Sequence, residues 1–119
     1  MSDWKTIRKV QELFNLNEYE AKAFAALVRK GTGVVPLKLS ILSEIPRARI
    51  YDVCYGLEKK GLISVIPRKG KRPTQLKARP KEEIIELTKR KNEERMRRLS
   101  KGIQWLYVKV GSKKNAKKI

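Results

Sequence analysis

Two arginines stand close together at the start of a helix predicted over residues 46–60. The guanidinium groups of Arg47 and Arg49 can each donate paired hydrogen bonds to a phosphate or to the edge of a guanine base. If Ile50 and Leu57 face the core, the helical repeat of 3.6 residues turns the other side of this helix toward a partner. The further candidates on that outer side are Tyr51, Asp52, Tyr55 and Lys59. This spacing predicts a recognition helix for the major groove of DNA, with Arg49 as its base-reading residue.

Each of these side chains also has a plainer interpretation. Arg47 and Arg49 could contact phosphates only. The phenol of Tyr51 could bond a phosphate or simply pack beside the core. Asp52 would repel phosphate, so it could orient an arginine, accept a hydrogen bond from a cytosine amino group, or remain an exposed acid. The residue types alone leave these alternatives open.

A second group of cations surrounds Gly70, between two short runs of strand-forming residues. The runs 62–66 and 74–78 predict a β-hairpin, and residues 67–73 form its basic tip. The cations of this tip are Arg68, Lys69, Lys71 and Arg72. Such a wing suits the DNA backbone or a narrow minor groove, while a solvated run of charge is the plainer alternative. Lys38, from the helix before the recognition helix, completes the predicted DNA-binding set.

Three helices are predicted ahead of the recognition helix. Apolar residues at three- and four-residue spacing indicate the first over residues 4–14, and Asn17 with Glu20 forms the sequence pattern of a capping box at the start of the second. A third, short and largely buried helix over residues 35–42 is separated from the recognition helix by a tight turn, which is the arrangement of a helix-turn-helix. With the basic hairpin, residues 1–79 are predicted to form a winged helix-turn-helix.

A long helix is predicted over residues 80–110, and would measure about 45 Å at about 1.5 Å per residue. Its second half carries apolar residues at alternating steps of three and four, the spacing of a coiled-coil seam. The predicted seam consists of Met96, Leu99, Ile103, Leu106 and Val110. We expect two copies to dimerise along it, in parallel or antiparallel, with part of the nearby positive charge only solvating the helix. Residues 111–119 are expected to be a disordered basic tail.

The composition limits what such a chain can do. Lys and Arg number 30 against 12 Asp and Glu, so the formal charge is +18 in 119 residues and a polyanionic partner is expected. There is no His and a single Cys, which removes the usual zinc ligands and disulfides, and neither metal nor cofactor is expected. Lacking also a Gly-rich phosphate loop, the chain is not predicted to be an enzyme. No apolar run approaches the ~20 residues that span a bilayer, so we expect no membrane partner and a cytoplasmic, nucleoid-associated location.

The segments LFNLNEYEAKAFAAL and IPRARIYDVCYGLEKKGLI together resemble the DNA-binding domain of the TrmB-like family of archaeal transcription regulators. The resemblance covers Leu13 to Ala78. It implies a mainly α fold with a small β-hairpin wing, an α+β winged helix-turn-helix that binds DNA as a dimer. Family members often carry a large C-terminal domain that binds sugars. We expect the DNA-binding domain here without that domain, and no small-molecule effector.

Two functions are consistent with these features. The first is a homodimeric transcription regulator that places two recognition helices in successive major grooves about 34 Å apart. The second is an abundant architectural protein that coats double-stranded DNA with little base preference. A regulator would prefer its own site over random DNA by ~10³ or more at physiological salt, whereas an architectural protein would not.

Overall fold

The computed structural model describes residues 4–67, 70 and 73–111. The chain divides after Lys81 into two structural units. The predicted wing-tip cations lie outside the described residues, as does the predicted tail beyond residue 111. These cations are Arg68, Lys69, Lys71 and Arg72.

The first unit begins with the four predicted helices. They are α1 (Trp4–Phe14), α2 (Glu18–Lys30), α3 (Pro36–Leu42) and α4 (Arg47–Lys59). The recognition helix is one residue shorter at each end than predicted, because Pro46 has extended backbone at the N-cap and Lys60 is the C-cap. The predicted mainly α, winged helix-turn-helix fold is confirmed.

Local signals explain the ends of α2. The side chain of Asn17 accepts a hydrogen bond from the backbone of Glu20 at 2.8 Å, and the Glu20 carboxylate accepts one from the Asn17 backbone at 3.1 Å. This is the predicted capping box, which satisfies two backbone donors that a helix start leaves unpaired. Gly31 ends the helix in the left-handed conformation with φ of 70°.

The predicted hairpin consists of β1 (Ile63–Ile66) and β2 (Gln75–Ala78), which pair antiparallel with Ile63 opposite Ala78. A contact that the sequence did not predict joins β2 to the loop before α3. The backbone groups of Val34 and Leu76 exchange two hydrogen bonds of 2.8 Å, and both side chains are buried. The second strand of the hairpin is therefore fixed to the helical part of the unit.

The core of the first unit is formed where these elements meet. Its fully buried large side chains are Leu27, Leu39, Ile50, Leu57 and Ile63. The expectation that α3 is largely buried is wrong: Leu39 is buried, but Ile41 is 75% exposed and Leu37 and Leu42 are also exposed. A seven-residue helix has only about two turns, so it presents one narrow stripe to the core.

The second unit contains α5 (Lys81–Leu106), followed by a π-helical segment over Tyr107–Gly111. The sequence predicts one uninterrupted helix to residue 110, whereas the α-helical hydrogen bonding ends at Leu106. Val110 therefore lies in the π-helical segment. No helix in the described part of the chain is both long enough and apolar enough to cross a membrane.

Candidate nucleic-acid interface

The outer side of α4 presents every candidate that the sequence assigned to this helix. Ile50 and Leu57 are fully buried, and this fixes the rotation of the helix about its axis. The predicted binding residues are accordingly all exposed: Arg47, Arg49, Tyr51, Asp52, Tyr55 and Lys59. All six side chains are thus accessible on the part of α4 that turns away from the core, which we call the α4 outer face; Arg47 and Arg49, two positions apart, lie toward its two opposite edges.

The side chains at the start of α4 carry positive charge, whereas negative charge at this position would stabilise an isolated helix. The N-terminus of a helix carries partial positive charge, which favours acidic side chains in the first turn. α2 follows this rule with Glu18 and Glu20, but the first turn of α4 has no acid and instead begins with Arg47 and Arg49. Two exposed cations in this position do not stabilise the helix, and an external anion would offset their charge.

Two tyrosines give the α4 outer face an aromatic character. Tyr51 is 64% exposed and Tyr55 is 65% exposed, and they lie one helical turn apart. The alternative that Tyr51 packs against the core is therefore wrong. Both phenols are free to approach a partner, where they can bond a phosphate or a base edge.

Asp52 is the one acidic side chain among the six candidate residues of this face. No ion pair joins Asp52 to Arg47 or Arg49 in the residues that the structure describes. The suggestion that Asp52 orients an arginine is therefore not supported by the geometry. The carboxylate remains exposed, where it can accept a hydrogen bond from outside the chain.

The turn between α3 and α4 positions the first residues of α4. Buried Ser40 donates its hydroxyl to the carbonyl of Ile45, whose own backbone N–H returns a bond to the Ser40 carbonyl at 3.0 Å. Ser43, also buried, donates to the carbonyl of Leu39. Glu44 then adopts a positive φ of 55°, which reverses the chain sharply before α4. These two buried hydroxyl groups thus add hydrogen bonds to carbonyl groups of the turn and hold its backbone in place.

A partly buried ion pair holds the other end of α4 against α2. The Glu20 carboxylate, 8% exposed, accepts from the ammonium group of Lys60 at 3.0 Å. The same ammonium group donates to the carbonyl of Asn15 at 3.1 Å. Gly56 makes room for the carboxylate, since a Cβ at this position would overlap Glu20 Oε2. The sequence predicted Glu20 only as a capping residue, because its partner lies 40 positions away along the chain.

Further cations of the first unit lie outside α4. Lys38 is exposed on α3. Lys77, on β2, is an exposed cation outside the predicted set. It follows buried Leu76, and side chains alternate between the two faces of a strand, so the sequence pattern would have predicted that Lys77 faces outward. Arg79 donates to the carbonyl of Ile63 at 3.4 Å at the base of the hairpin.

The described residues were also compared with the requirements of a metal site and of a nucleophilic cysteine. No group of three or more His, Cys, Asp or Glu side chains is placed to hold a metal ion in this part of the chain. Cys54 lies on the inner side of α4, and burial raises the pKa of its thiol to about 11. A thiol with so high a pKa is a poor nucleophile at neutral pH.

The predicted seam residues of the second unit are accessible in the single chain. Met96, Leu99, Ile103, Leu106 and Val110 are between 47% and 59% exposed. The first four share one side of α5 at alternating steps of three and four. This leaves a continuous apolar stripe without a described partner.

Two curated proteins are similar to this chain in sequence. The TrmBL2 regulator of Pyrococcus furiosus, described as an HTH-type transcriptional regulator, is 45% identical over 69 residues, covering 58% of this chain and 26% of the relative. TrmBL2 of Thermococcus kodakarensis, described as a DNA-binding HTH-type transcriptional repressor, is 47% identical over 66 residues, covering 55% and 24%. The chain spans about a quarter of the length of these curated relatives.

Solved structures show the same architecture over most of the chain. A structure described as that of TrmBL2, an archaeal chromatin protein with a novel mode of DNA binding, superposes with a TM-score of 0.64 at 31% identity. It covers 90% of this chain, which in turn covers 42% of that one. A MarR-family regulator from Silicibacter pomeroyi, at 18% identity and a TM-score of 0.54, shares the fold over 87% of this chain and 79% of its own. The sequence profile described as "Sugar-specific transcriptional regulator TrmB" matches residues 10–82, more than half of the chain, which therefore belongs to the TrmB family.

Proposed function

We propose that the chain binds double-stranded DNA as a homodimeric transcription regulator, with α4 in the major groove and the wing over residues 67–73 on the backbone or in the minor groove. The observation that carries this proposal is the pair of exposed arginines in the first turn of α4, where the helix itself favours acids. Membership in the TrmB family supports it. Such a protein would be found with the nucleoid in the cytoplasm.

Within this proposal the side chains of the α4 outer face take different roles. Arg49 reads a guanine, and Arg47 reaches a base or a phosphate from the helix start. Tyr51, Tyr55 and Lys59 bond phosphates, and Asp52 accepts a hydrogen bond from a cytosine amino group. The remaining cations of the proposed contact neutralise phosphates: Lys38, Arg68, Lys69, Lys71 and Arg72.

The proposal includes pairing of two copies along α5. An apolar stripe with about half of each side chain exposed is costly in water, and its three-and-four spacing suits another helix. Pairing would place two copies of α4 on one pseudo-palindromic site. The proposed activity is binding rather than catalysis, and includes no small-molecule effector.

A second candidate is an architectural protein that covers DNA with little base preference. It is supported by the similarity of 90% of this chain to the structure of TrmBL2, which is described as an archaeal chromatin protein. Both candidates use the same contact surface. They differ in the ratio of specific to non-specific affinity.

Selection from a pool of random duplexes at increasing salt distinguishes the two. Enrichment of a pseudo-palindrome, bound at least ~10³-fold more tightly than random DNA, supports the regulator. Tight retention without enrichment supports the architectural protein. If no duplex is retained at low salt, both candidates are wrong.

The substitution Arg49→Ala tests the base-reading role. We expect a loss of about 1–3 kcal/mol in binding to the selected site, with relaxed preference at one base pair, because a bidentate contact is removed. Titration of the selected duplex and of its single-base variants measures this. Arg8→Ala, which removes an exposed arginine from α1, is the matched control and should leave the preference intact. An unchanged preference in Arg49→Ala would show that this residue does not read a base.

A further inference from the structure

The apolar seam occupies one side of α5, and the opposite side carries cations that neither the seam nor α4 uses. Residues two positions apart lie on nearly opposite sides of an α-helix, and residues seven apart share a side. Three cations lie two positions from a seam residue and a fourth lies seven before one of these, so all four are about opposite the seam. The side chains concerned are Arg90, Arg97, Arg98 and Lys101, and we call them the outer basic face. All four are exposed.

Two of these cations have weak carboxylate partners within the helix. Arg98 Nη2 lies 2.9 Å from Glu94 Oε1, and Arg90 Nε lies 3.7 Å from Glu86 Oε1. All four side chains are mostly exposed, and exposed pairs of this kind contribute little and are screened by salt. Each guanidinium can therefore exchange its carboxylate for another anion at small cost.

The other two cations have no ion pair in the part of the chain that the structure describes. Arg97 is not paired with Glu93, although that residue lies four positions before it. Lys101 follows Arg97 by four positions, and like charges at this spacing oppose helix formation. The pair weakens the helix unless an anion from outside lies across it.

The need to solvate the surface of α5 does not explain its excess of cations over carboxylates. Seven cations lie between Lys89 and Lys101, against Glu93 and Glu94. Surface helices are solvated equally well by charges of both signs, which also stabilise one another. Pairing two copies along the seam would add repulsion between the two helices. A polyanion along the outer basic face offsets both effects.

We propose that the outer basic face binds the phosphate backbone of double-stranded DNA without reading bases, as a second contact surface in addition to α4. The proposal rests on the function proposed above. From Arg90 to Lys101 the face extends about 16 Å along the helix, and duplex DNA carries one charge per ~1.7 Å of its axis, so several phosphates lie within its reach. Such contacts raise the affinity for every sequence equally and make it depend more steeply on salt.

The double variant Arg97→Gln with Lys101→Gln tests this surface. Glutamine keeps the helix propensity and removes the charge. The affinity for a fluorescent duplex of arbitrary sequence is measured by anisotropy between about 50 and 200 mM salt, the range over which phosphate contacts change affinity strongly. We expect the slope of log affinity against log salt to fall in magnitude by about 2 for each protomer whose outer basic face contacts the duplex, and the affinity near 0.1 M salt to fall at least about tenfold.

The matched control is Lys89→Gln with Arg95→Gln, which removes the same charge from the same helix beside the seam. We expect less than half of the change in slope, with helicity and sedimentation confirming that all variants fold and assemble alike.

Equal changes in the two variants would mean that only net charge matters, and would overturn the proposal. A wild-type slope in the Arg97 and Lys101 variant would also overturn it while leaving the proposed function intact, whereas a wild-type chain that binds no duplex would refute both. A variant that binds DNA normally but loses binding to phosphatidylserine vesicles would assign the face to membranes and contradict the proposal.

Discussion

At the scale of single residues, the two sides of α4 carry different kinds of side chain. Its inner side carries Cys54 between the buried side chains of Ile50 and Leu57, while its outer side carries the arginines and tyrosines. Burial removes water from the thiolate and raises the pKa of Cys54 from 9.0 to about 11. The thiol therefore acts as a small apolar group of the core.

This pKa shift predicts how stability depends on pH. The folded-state pKa exceeds the unfolded-state value, so the unfolded chain loses the thiol proton first as the pH rises. The contribution of Cys54 is thus complete below pH 9 and is lost between about pH 9 and 11, by up to about 2–3 kcal/mol. Urea unfolding of the wild type and of Cys54→Ala at several pH values measures it. The variant should lose less stability over this range, and parallel curves would contradict the prediction.

Helical periodicity was sufficient to predict which residues α4 exposes, because the 3.6-residue repeat and the two large core residues fix its rotation. It was insufficient for the finer contacts. The lack of an ion pair between Asp52 and an arginine depends on side-chain rotamers, which a spacing rule does not describe.

At the scale of elements, the turn between α3 and α4 contains a strained residue. Glu44 has a φ of 55°, in the left-handed region that costs a residue with a Cβ about 1–2 kcal/mol. We expect Glu44→Gly to stabilise the fold by about 0.5–1 kcal/mol, since glycine removes the strain but loses more backbone entropy. Urea unfolding measures the change. Glu58→Gly, within α4, is the control and should destabilise by a similar amount, and a loss of stability in Glu44→Gly would show that the carboxylate has another role.

The contact between α2 and α4 depends on the absence of a side chain at Gly56. We expect Gly56→Ala to destabilise the fold by up to about 2 kcal/mol, because the added methyl overlaps Glu20 Oε2 and separates the Glu20–Lys60 ion pair by more than helix propensity regains.

The control for this substitution is Gly102→Ala, in α5, where a Cβ would meet nothing within 4 Å. That change should increase the helicity of α5 and its stability by about 1 kcal/mol. Circular dichroism during thermal unfolding compares the two. If both variants gain stability, then Glu20 moves aside easily and the ion pair contributes little to the position of α4.

The element boundaries were predictable because caps, prolines and glycines act locally, as Asn17, Pro46 and Gly31 do here. The Glu20–Lys60 pair and the Val34–Leu76 bridge were not predictable, because each joins positions about 40 residues apart. Such contacts are consequences of the assembled fold and leave no periodic signal in the sequence.

At the scale of the whole molecule, the apolar stripe of α5 determines the proposed assembly. We expect Leu99→Glu with Ile103→Glu to produce monomers, since two carboxylates would be buried in the seam without partners. Analytical ultracentrifugation measures the mass. Ser100→Glu with Gln104→Glu adds the same charge beside the stripe and should remain dimeric. A double seam variant that sediments as the wild type does would refute pairing along α5.

The reciprocal bonds between Val34 and Leu76 affect the thermodynamics of any complex that the wing forms. Association loses free energy whenever a segment must be ordered as it docks. Here the strand β2 is already held by backbone bonds to the helical part of the first unit and by buried side chains. Docking the wing therefore does not require ordering this strand, and more of the free energy of its contacts remains as affinity.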